Sequence, residues 1–295
     1  MEHLTKCDLC GSADIIVVNK LSNICKCGTC GYIFDNPRPS LHEIMTFYSG
    51  VRKYDSYLHE EKGRDILWRK RLAMIQRYKK SGALLDIGAG IGQFLFFARR
   101  DFEVYGNEVS ESALKIAKEK YNLDLLKGPL EEIDFGERRF DAITLFHILE
   151  HTISPRLLIE KCYNLLSEGG VIVIAVPNDI ESLRAFLRMT KHNNWLMEFA
   201  SLFCRDTKYD IDRLSKIRLD GGAGEIHISH FTTAVLKGLL LKNNFTIIDD
   251  TLDPYYPTFG IARCLDDIRY LICLFLKKVF GINIYNTIWI AAKRQ

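Results

Sequence analysis

A glycine-rich turn at residues 84–92 offers the clearest binding chemistry in the chain. An apolar run ends at Asp86, and Gly88, Gly90 and Gly92 follow at alternate positions before apolar residues resume at helical spacing. This order is typical of a strand, a tight turn and a helix in which the backbone comes close to a ligand. Glu108 ends the next strand-like run, about 20 residues on, where a carboxylate can bind ribose hydroxyl groups. Together these features predict a nucleotide-like ligand.

The spacing of the glycines discriminates among nucleotide ligands. A dinucleotide-binding turn has the pattern Gly-x-Gly-x-x-Gly, which seats a pyrophosphate on a helix N-terminus. In this chain the third glycine, Gly92, comes one residue earlier, and Asp86 precedes the turn. We therefore expect a ligand without phosphates and with a cationic end. For the glycines alone, the simpler alternative is a flexible turn.

Histidine and glutamate residues form two further groups that could move a proton, because a His or Glu with a pKa near neutrality can accept one from a hydroxyl. His147, Glu150 and His151 have the spacing i, i+3 and i+4, which places them on one face if the segment is helical. Two roles stay open for this group. Its residues act as a general base or contact the substrate, or they form structural hydrogen bonds. His227 and His230 are expected in a turn before a helix. His227 is the better site candidate, and helix capping or a core role stays open for one of the two.

Four cysteines near the N-terminus have the spacing of a metal site. Cys7-x-x-Cys10 and Cys27-x-x-Cys30 are separated by 16 residues, which is typical of a four-thiolate zinc ribbon with a structural metal. Cys25 is expected to be a neighbour on the incoming strand, and unliganded thiols are the alternative for the whole group. Residues 1–40 hold four Lys/Arg and four Asp/Glu. A ribbon without excess positive charge favours a structural or protein-docking role over nucleic-acid binding.

The rest of the chain alternates strands and helices, the pattern of a parallel α/β sheet. Strands are predicted at 83–87, 103–108, 123–127, 140–146, 170–176, 245–250 and 284–292, and helices at 59–80, 92–100, 110–121, 154–166, 232–243 and 264–280. The predicted fold is a Rossmann-like, doubly wound seven-stranded sheet preceded by a small zinc ribbon. The predicted domains are the ribbon (1–40), a linker with a basic helix (41–80) and a binding domain (81–295). An insertion at about 178–226 would cover the carboxyl ends of the strands as a substrate lid.

Composition limits the class of protein. The chain has 295 residues, 47% hydrophobic content and a net charge of +3, so it can fill one large core and shows no global affinity for nucleic acid. The sequence has no apolar stretch of bilayer-spanning length, and its first residues contain no apolar signal core. We therefore expect a cytoplasmic protein whose nine cysteines are thiols or metal ligands rather than disulfides.

Six stretches of the sequence resemble the class I S-adenosylmethionine (SAM) methyltransferases, and in particular enzymes of surface-polysaccharide and small-molecule biosynthesis. The stretches, between about residues 84 and 250, are LLDIGAGIGQFL, VYGNEVSESALKIAKEK, GPLEEI, FDAITLFHILEHTISP, LLSEGGVIVIAVPN and IHISHFT. The resemblance implies SAM as the cofactor. Asp86, Gly88, Gly90 and Gly92 would line its methionine and ribose, and Glu108 would hold the ribose hydroxyls.

The resemblance also indicates where the adenine and the acceptor would bind. In many relatives an acid in the third loop contacts the adenine amino group, but here Pro129 follows Gly128, so backbone groups near Leu130 would take that role. In the similar ubiquinone-type O-methyltransferases, an acid-x-x-Glu-His group can hold a divalent metal near the acceptor. This chain has His147 at the first position, which still permits a metal.

The predicted activity is methyl transfer to a sugar hydroxyl of a nucleotide-linked or lipid-linked glycan, or to a related small molecule. Eight Lys/Arg against four Asp/Glu at 184–218 favour an acceptor on an anionic carrier. The alternatives are an rRNA methyltransferase, a sugar C-methyltransferase and a catalytically silent SAM-fold binding protein. The apolar segment 268–278 is expected to pack on the sheet or at a homodimer contact. An interfacial helix on a membrane surface is the less favoured alternative.

Overall fold

Eleven strands and seven α-helices are formed by the residues that this computed structural model describes, which are 1–19, 23–50, 61–181 and 226–295. The strands are β1 (Ile15–Asn19), β2 (Ile24–Cys27), β3 (Ile33–Asp35), β4 (Gly82–Ile87), β5 (Phe102–Glu108), β6 (Leu126–Lys127), β7 (Phe140–Phe146), β8 (Leu166–Pro177), β9 (Ser229–His230), β10 (Phe245–Thr251) and β11 (Thr287–Arg294). The helices are α1 (Leu41–Gly50), α2 (Glu61–Ile75), α3 (Gln93–Ala98), α4 (Glu111–Tyr121), α5 (Pro155–Leu165), α6 (Thr233–Lys242) and α7 (Gly260–Phe280).

The main sheet has seven strands in the order β10-β11-β8-β7-β4-β5-β6. Strands β4 to β8 are parallel, and β11 runs antiparallel between β8 and β10. This topology confirms the predicted Rossmann-like doubly wound fold. The strand order reverses at β4, which has β5 on one side and β7 on the other. Ligands of such sheets bind beyond the carboxyl ends of the strands at this reversal.

Both faces of the main sheet are buried, which explains why its strands are almost continuously apolar. Successive residues of β4 point to opposite sides: Leu84 packs with α2, α3 and α4, whereas Leu85 packs with α5 and α6. Both side chains are fully buried. Helices on both faces therefore fix the carboxyl edge of the sheet on a rigid core.

The N-terminal ribbon shares a second sheet with the rest of the protein. Its order is β1-β2-β3-β9, and Ile33 and Phe34 of β3 pair with His230 and Ser229 of β9. The ribbon's buried Phe34 belongs to the same apolar cluster as residues of β7, β8 and α6. The predicted 1–40 module is therefore continuous with the core of the larger domain.

Most predicted elements are present with ends shifted by a few residues. The larger differences are at three elements. Strand β6 has two residues instead of five, and the basic helix ends at Ile75 instead of Lys80. Helix α7 begins at Gly260 instead of Cys264. After Ile75 the N–H groups of Arg77 and Tyr78 donate to carbonyl groups three residues earlier, a tighter turn that is typical of a helix end. The predicted lid lies mostly outside the described residues, since 182–225 are not among them. Among the described helices, none has both the length and the hydropathy that crossing a membrane requires.

Candidate functional site

The predicted glycine turn joins β4 to α3 at the point where the strand order reverses. Gly88, Gly90 and Gly92 all have left-handed backbone conformations, with φ of +67°, +56° and +75°. A Cβ atom on Gly88 would lie 2.1 Å from Cδ1 of Ile148. Glycine is thus required here both by the backbone conformation and by the close approach of the loop that follows β7.

Glu108 and the glycine turn form one hydrogen-bonded unit. The backbone N–H of Gly90 donates to Oε2 of Glu108 at 2.8 Å, and those of Val109 and Ser110 donate to Oε1 at 2.8 and 2.9 Å. The side chain is buried at the end of the strand next to β4. Glu108 therefore meets the glycine turn, and Asp86 of β4 precedes that turn at the same edge of the sheet.

Asp86 lies beneath the turn, in a buried position on β4. Its Oδ1 accepts a hydrogen bond from the Thr144 hydroxyl at 2.6 Å. Burial raises the pKa of Asp86 to about 7, because a charged carboxylate loses its hydration there. A cationic ligand beside this group would favour the ionised form, which agrees with the predicted preference for a cationic end.

The third loop follows β6, which pairs with the end of β5 through Glu108 and Lys127. Leu130 begins a short 3-10 helix, Leu130–Glu132. Its side chain is buried in the main core, so only its backbone can face a ligand. Asn107 reinforces this loop, since its Nδ2 donates to the Gly128 carbonyl at 2.9 Å.

A second group lies beyond β7 and joins residues distant in sequence. One ligand atom each of Glu150, His151 and His227 lies within 4.8 Å of the others. Glu150 and His151 come from a 3-10 helix, Leu149–His151, and His227 from the segment that enters β9. We call these three residues the acid–histidine cluster.

Backbone and carboxylate acceptors fix both imidazoles of the cluster. Nδ1 of His151 lies 2.5 Å from the Ile226 carbonyl oxygen and 3.0 Å from the Tyr48 hydroxyl. Nδ1 of His227 lies 3.5 Å from Oδ2 of Asp179. An Nδ1–H that donates to such an oxygen leaves the lone pair on Nε2. In each ring, Nε2 is then the basic nitrogen, and it lies on the side away from the oxygen that accepts from Nδ1.

Glu150 is the buried centre of this region. Neither of its carboxylate oxygens has a hydrogen-bond partner in the described part of the chain. Its Oε1 lies 3.5 Å from Nδ1 of His147 and 3.9 Å from Nε2 of His151. Burial alone would raise its pKa, but the neighbouring histidines outweigh burial and lower it. One carboxylate and two imidazoles suit a divalent cation with an open coordination position, so the residues present fit a metal as well as a proton acceptor.

His147 reaches Glu150 through a backbone conformation that differs from the predicted one. The sequence predicts one helical face for His147, Glu150 and His151, but His147 precedes the 3-10 helix and has a φ of +58°. Its Nε2 lies 3.3 Å from Oδ2 of Asp253, and its ring centre lies 4.5 Å from that of Tyr255, with the two planes tilted by 46°. A left-handed backbone at a non-glycine residue is strained, and here it places the imidazole between Glu150 of the acid–histidine cluster and Asp253.

Arg71 and Asp253 are the site residues that sequence reasoning misses. They form a fully buried ion pair in which Nε donates to Oδ1 at 2.8 Å and Nη2 donates to Oδ2. The guanidinium carbon lies 4.4 Å from the centre of the Phe146 ring. Arg71 follows the buried Leu67 by four residues on α2, and this spacing alone could have indicated that it faces the core. Asp253 comes from the loop after β10 and has no such signal.

His230 lies outside the acid–histidine cluster and connects it to the ribbon. It is part of β9 rather than of a turn, because the ribbon strand β3 supplies its pairing partner. Its Nε2 lies 3.4 Å from Asp35 and its Nδ1 lies 3.8 Å from Asp179. Burial would lower its pKa, but these two carboxylates raise it to about 9. Asp179 is thus shared by His230 and His227.

The four predicted cysteine ligands converge in the ribbon. The sulfur atoms of Cys7 and Cys30 are 3.6 Å apart, as are those of Cys10 and Cys27, and all four lie within 4.8 Å of one another. Four thiolates at about 2.3 Å from a tetrahedral zinc have sulfur separations close to these values. Cys25 is outside the group, as predicted. The ribbon therefore fits a closed, structural zinc site.

Known proteins resemble this chain over most of its length. A family model described as a methyltransferase domain matches residues 57–250. An uncharacterised protein of Methanocaldococcus jannaschii is 27% identical in an alignment 202 residues long, which covers 62% of this chain and 95% of that protein. A ubiquinone biosynthesis O-methyltransferase of Alkalilimnicola ehrlichii is 32% identical over 102 residues, 32% of this chain and 41% of that enzyme. The match thus spans less than half the length of that relative.

A solved structure shows the same fold. It is a SAM-dependent methyltransferase and possible histamine N-methyltransferase of Thermotoga maritima, with a TM-score of 0.51 and 15% identity, covering 85% of this chain and all of that one. The family model covers more than half of this chain, and the sheet with its glycine turn has the matching architecture. The chain belongs to the methyltransferase-domain family and is a SAM-dependent methyltransferase.

Proposed function

We propose that the enzyme methylates a hydroxyl group of a small or glycan acceptor. The observation that carries this proposal is the acid–histidine cluster at the end of β7, one strand away from the glycine turn after β4. Because the sulfonium of SAM is already an activated methyl donor, the protein has to align donor and acceptor and to remove the hydroxyl proton. The partial match to a ubiquinone biosynthesis O-methyltransferase supports oxygen as the methylated atom.

The glycine turn is the proposed cofactor site. Asp86, Gly88, Gly90 and Gly92 would face the methionine and ribose of SAM, Glu108 would accept hydrogen bonds from the ribose hydroxyls, and the backbone at Leu130 would contact the adenine. The buried Asp86, whose pKa is raised, would recover its charge beside the cationic cofactor. This arrangement leaves the carboxyl end of β7 for the acceptor.

At the acceptor side, Nε2 of His151 or of His227 would take the hydroxyl proton as the methyl group moves. The Ile226 carbonyl and Asp179 orient these rings through Nδ1, which keeps the basic nitrogen available. Glu150 would stabilise the imidazolium that results. A divalent cation held by the same three residues would supply Lewis-acid activation of the hydroxyl.

The proposed acceptor is a sugar hydroxyl on a nucleotide-linked or lipid-linked glycan, or a related small molecule. The excess of Lys/Arg at 184–218 supports an anionic carrier, since a basic segment attracts phosphate-bearing ligands. A structural zinc in the ribbon completes the proposed cofactor set.

The full-length enzyme should transfer the labelled methyl group of SAM to a hydroxyl acceptor. A panel of nucleotide sugars can be paired with the corresponding amino sugars and with ribosomal RNA, and the product located by mass spectrometry. We expect an O-methyl ether on a nucleotide sugar and no incorporation into RNA. Labelling confined to amines, to carbon or to RNA would reject the hydroxyl assignment.

Removing the Glu108 carboxylate should weaken SAM binding. Its hydrogen bonds to the turn and to the cofactor are charge-assisted and each contributes roughly 1.5–3 kcal/mol, so Glu108→Ala should raise the SAM dissociation constant at least tenfold, as measured by calorimetric titration. Glu111→Ala is the matched control, because Glu111 lies three residues away with an exposed side chain paired to Lys127. Equal SAM affinity in both variants would exclude Glu108 from the cofactor site.

A further inference from the structure

Helix α7 packs on the protein with one side and leaves an apolar stripe on the other. Arg263, Asp266 and Cys273 are buried against the core. The opposite side carries seven large apolar residues that are each 44–84% exposed. They are Ile261, Leu265, Ile268, Ile272, Phe275, Val279 and Ile282, the last lying just after the helix end. We call these seven residues the α7 stripe.

The spacing of the α7 stripe is that of a helix–helix seam. Its members follow one another at alternating steps of four and three residues, so the average period is 3.5 over three heptads. Such a stripe is the a/d pattern with which two α-helices interlock by knobs-into-holes packing. Because the core contact of α7 uses the other side of the helix, packing within the described protein does not account for the stripe.

The charges around the stripe distinguish a protein partner from a membrane surface. A helix that lies on a membrane pairs its apolar face with exposed Lys and Arg. In α7, Arg263, Arg269 and Lys277 are largely buried in ion pairs with acidic residues of the same protein. Among the exposed residues of the helix, Lys278 is the one that carries a charge. An anionic lipid surface would therefore find little complementary charge here.

The size of the stripe matches one half of a stable interface. Large side chains at this exposure leave on the order of 100 Å² each, or roughly 700 Å² for the seven, close to the ~800 Å² per partner of a standard interface. Soluble monomers rarely expose contiguous apolar patches of this size. We propose that α7 pairs with α7 of a second copy of this chain about a two-fold axis, with the α7 stripe as the seam.

The oligomeric state of the full-length protein tests this pairing. In sedimentation velocity at micromolar concentration, the wild-type protein should be a dimer. Ile268→Glu and Phe275→Glu should each raise the dimer dissociation constant by roughly 100-fold, because a symmetric seam would bury the introduced charge twice. The matched control is Ile16→Glu, since Ile16 is 51% exposed against 56% for Ile268 and lies on β1 of the ribbon. The control should remain dimeric.

A second measurement uses the wild-type protein and does not depend on how the variants fold. On dilution below the dissociation constant, hydroxyl-radical labelling of Leu265 and Phe275 should increase. Three outcomes overturn the proposal. If the wild-type protein is a monomer that sediments with anionic vesicles, the stripe binds a membrane surface. If it is a monomer in which the stripe residues are protected from labelling, another part of the same chain covers the stripe. If both glutamate variants remain dimers, the dimer uses another interface.

Discussion

Alanine at His227 or at His151 should lower turnover by about 10²–10⁴-fold, the usual contribution of a positioned proton acceptor. SAM affinity should stay nearly constant, because the glycine turn belongs to β4 and α3, whereas both histidines lie on the segments that follow β7 and precede β9. Glu150→Gln should cause a loss of similar order, since it removes the buried negative charge beside both imidazoles. Initial rates at saturating SAM together with calorimetric SAM titration measure the two effects separately.

The controls separate chemistry from structure in this cluster. His42→Ala replaces an exposed histidine on α1 and should keep full turnover. If the cluster acts through a bound cation, a chelator should abolish activity and Mg²⁺ or Mn²⁺ should restore it. If the imidazoles act alone, any loss caused by the chelator should come from the ribbon zinc, so Zn²⁺ should restore activity and Mg²⁺ or Mn²⁺ should not. Full turnover of both histidine variants on the true acceptor would refute their role as the base and leave positioning alone to drive the reaction.

Loss of one ribbon cysteine should impair methyl transfer, although the proposed zinc site has no chemical role. The Cys10→Ser protein should lack the single zinc that we expect to copurify with each wild-type chain. Its ribbon should then lose stability, because a structural zinc supplies the folding free energy of such a small unit. The ribbon strand β3 pairs with β9, and Asp35 contacts His230, which shares Asp179 with His227. A shift of about 1 Å at a reacting group can cost ~10²-fold in rate, so we expect a turnover loss of that order.

The zinc prediction has an internal control and a clear contrary outcome. Cys25 is a buried neighbour outside the four-sulfur group, so Cys25→Ser should keep both zinc and turnover. Elemental analysis, limited proteolysis of residues 1–40 and SAM titration would follow the three effects, and SAM affinity should change little. Cys10→Ser protein that lacks zinc but turns over normally would show that the ribbon does not position His227.

Local sequence patterns were sufficient to predict the edge of the sheet that carries the glycine turn. Strand periodicity located β4 and β5, and the three glycines at alternate positions predicted a tight turn, in which all three have left-handed conformations. Because parallel neighbours end at the same edge, Glu108 had to come near that turn, and it bonds Gly90 directly. The Cys-x-x-Cys pairs were equally informative, since each pair is a local turn.

The geometry of the acid–histidine cluster and its surroundings depended on contacts that residue spacing does not encode. His147 lies beside Glu150, but a left-handed residue at the strand end and a 3-10 helix replace the α-helical geometry from which we expected a common face with Glu150 and His151. Arg71 and Asp253 are 182 positions apart, and they meet because α2 and the loop after β10 pack against the same strand end.

By itself, the sequence determined the α/β class, the strand and helix order, the glycine turn with its acid and the four convergent thiols, because each of these follows from periodicity or from short fixed spacings. Only the tertiary structure decided which atoms of His227, Glu150 and His151 come together, that Asp35 of the ribbon reaches His230 across 195 positions, and that the α7 stripe faces outward. These features arise where separate loops and helices pack together. Their geometry is set by the shape of the whole core, which no local pattern of residues specifies.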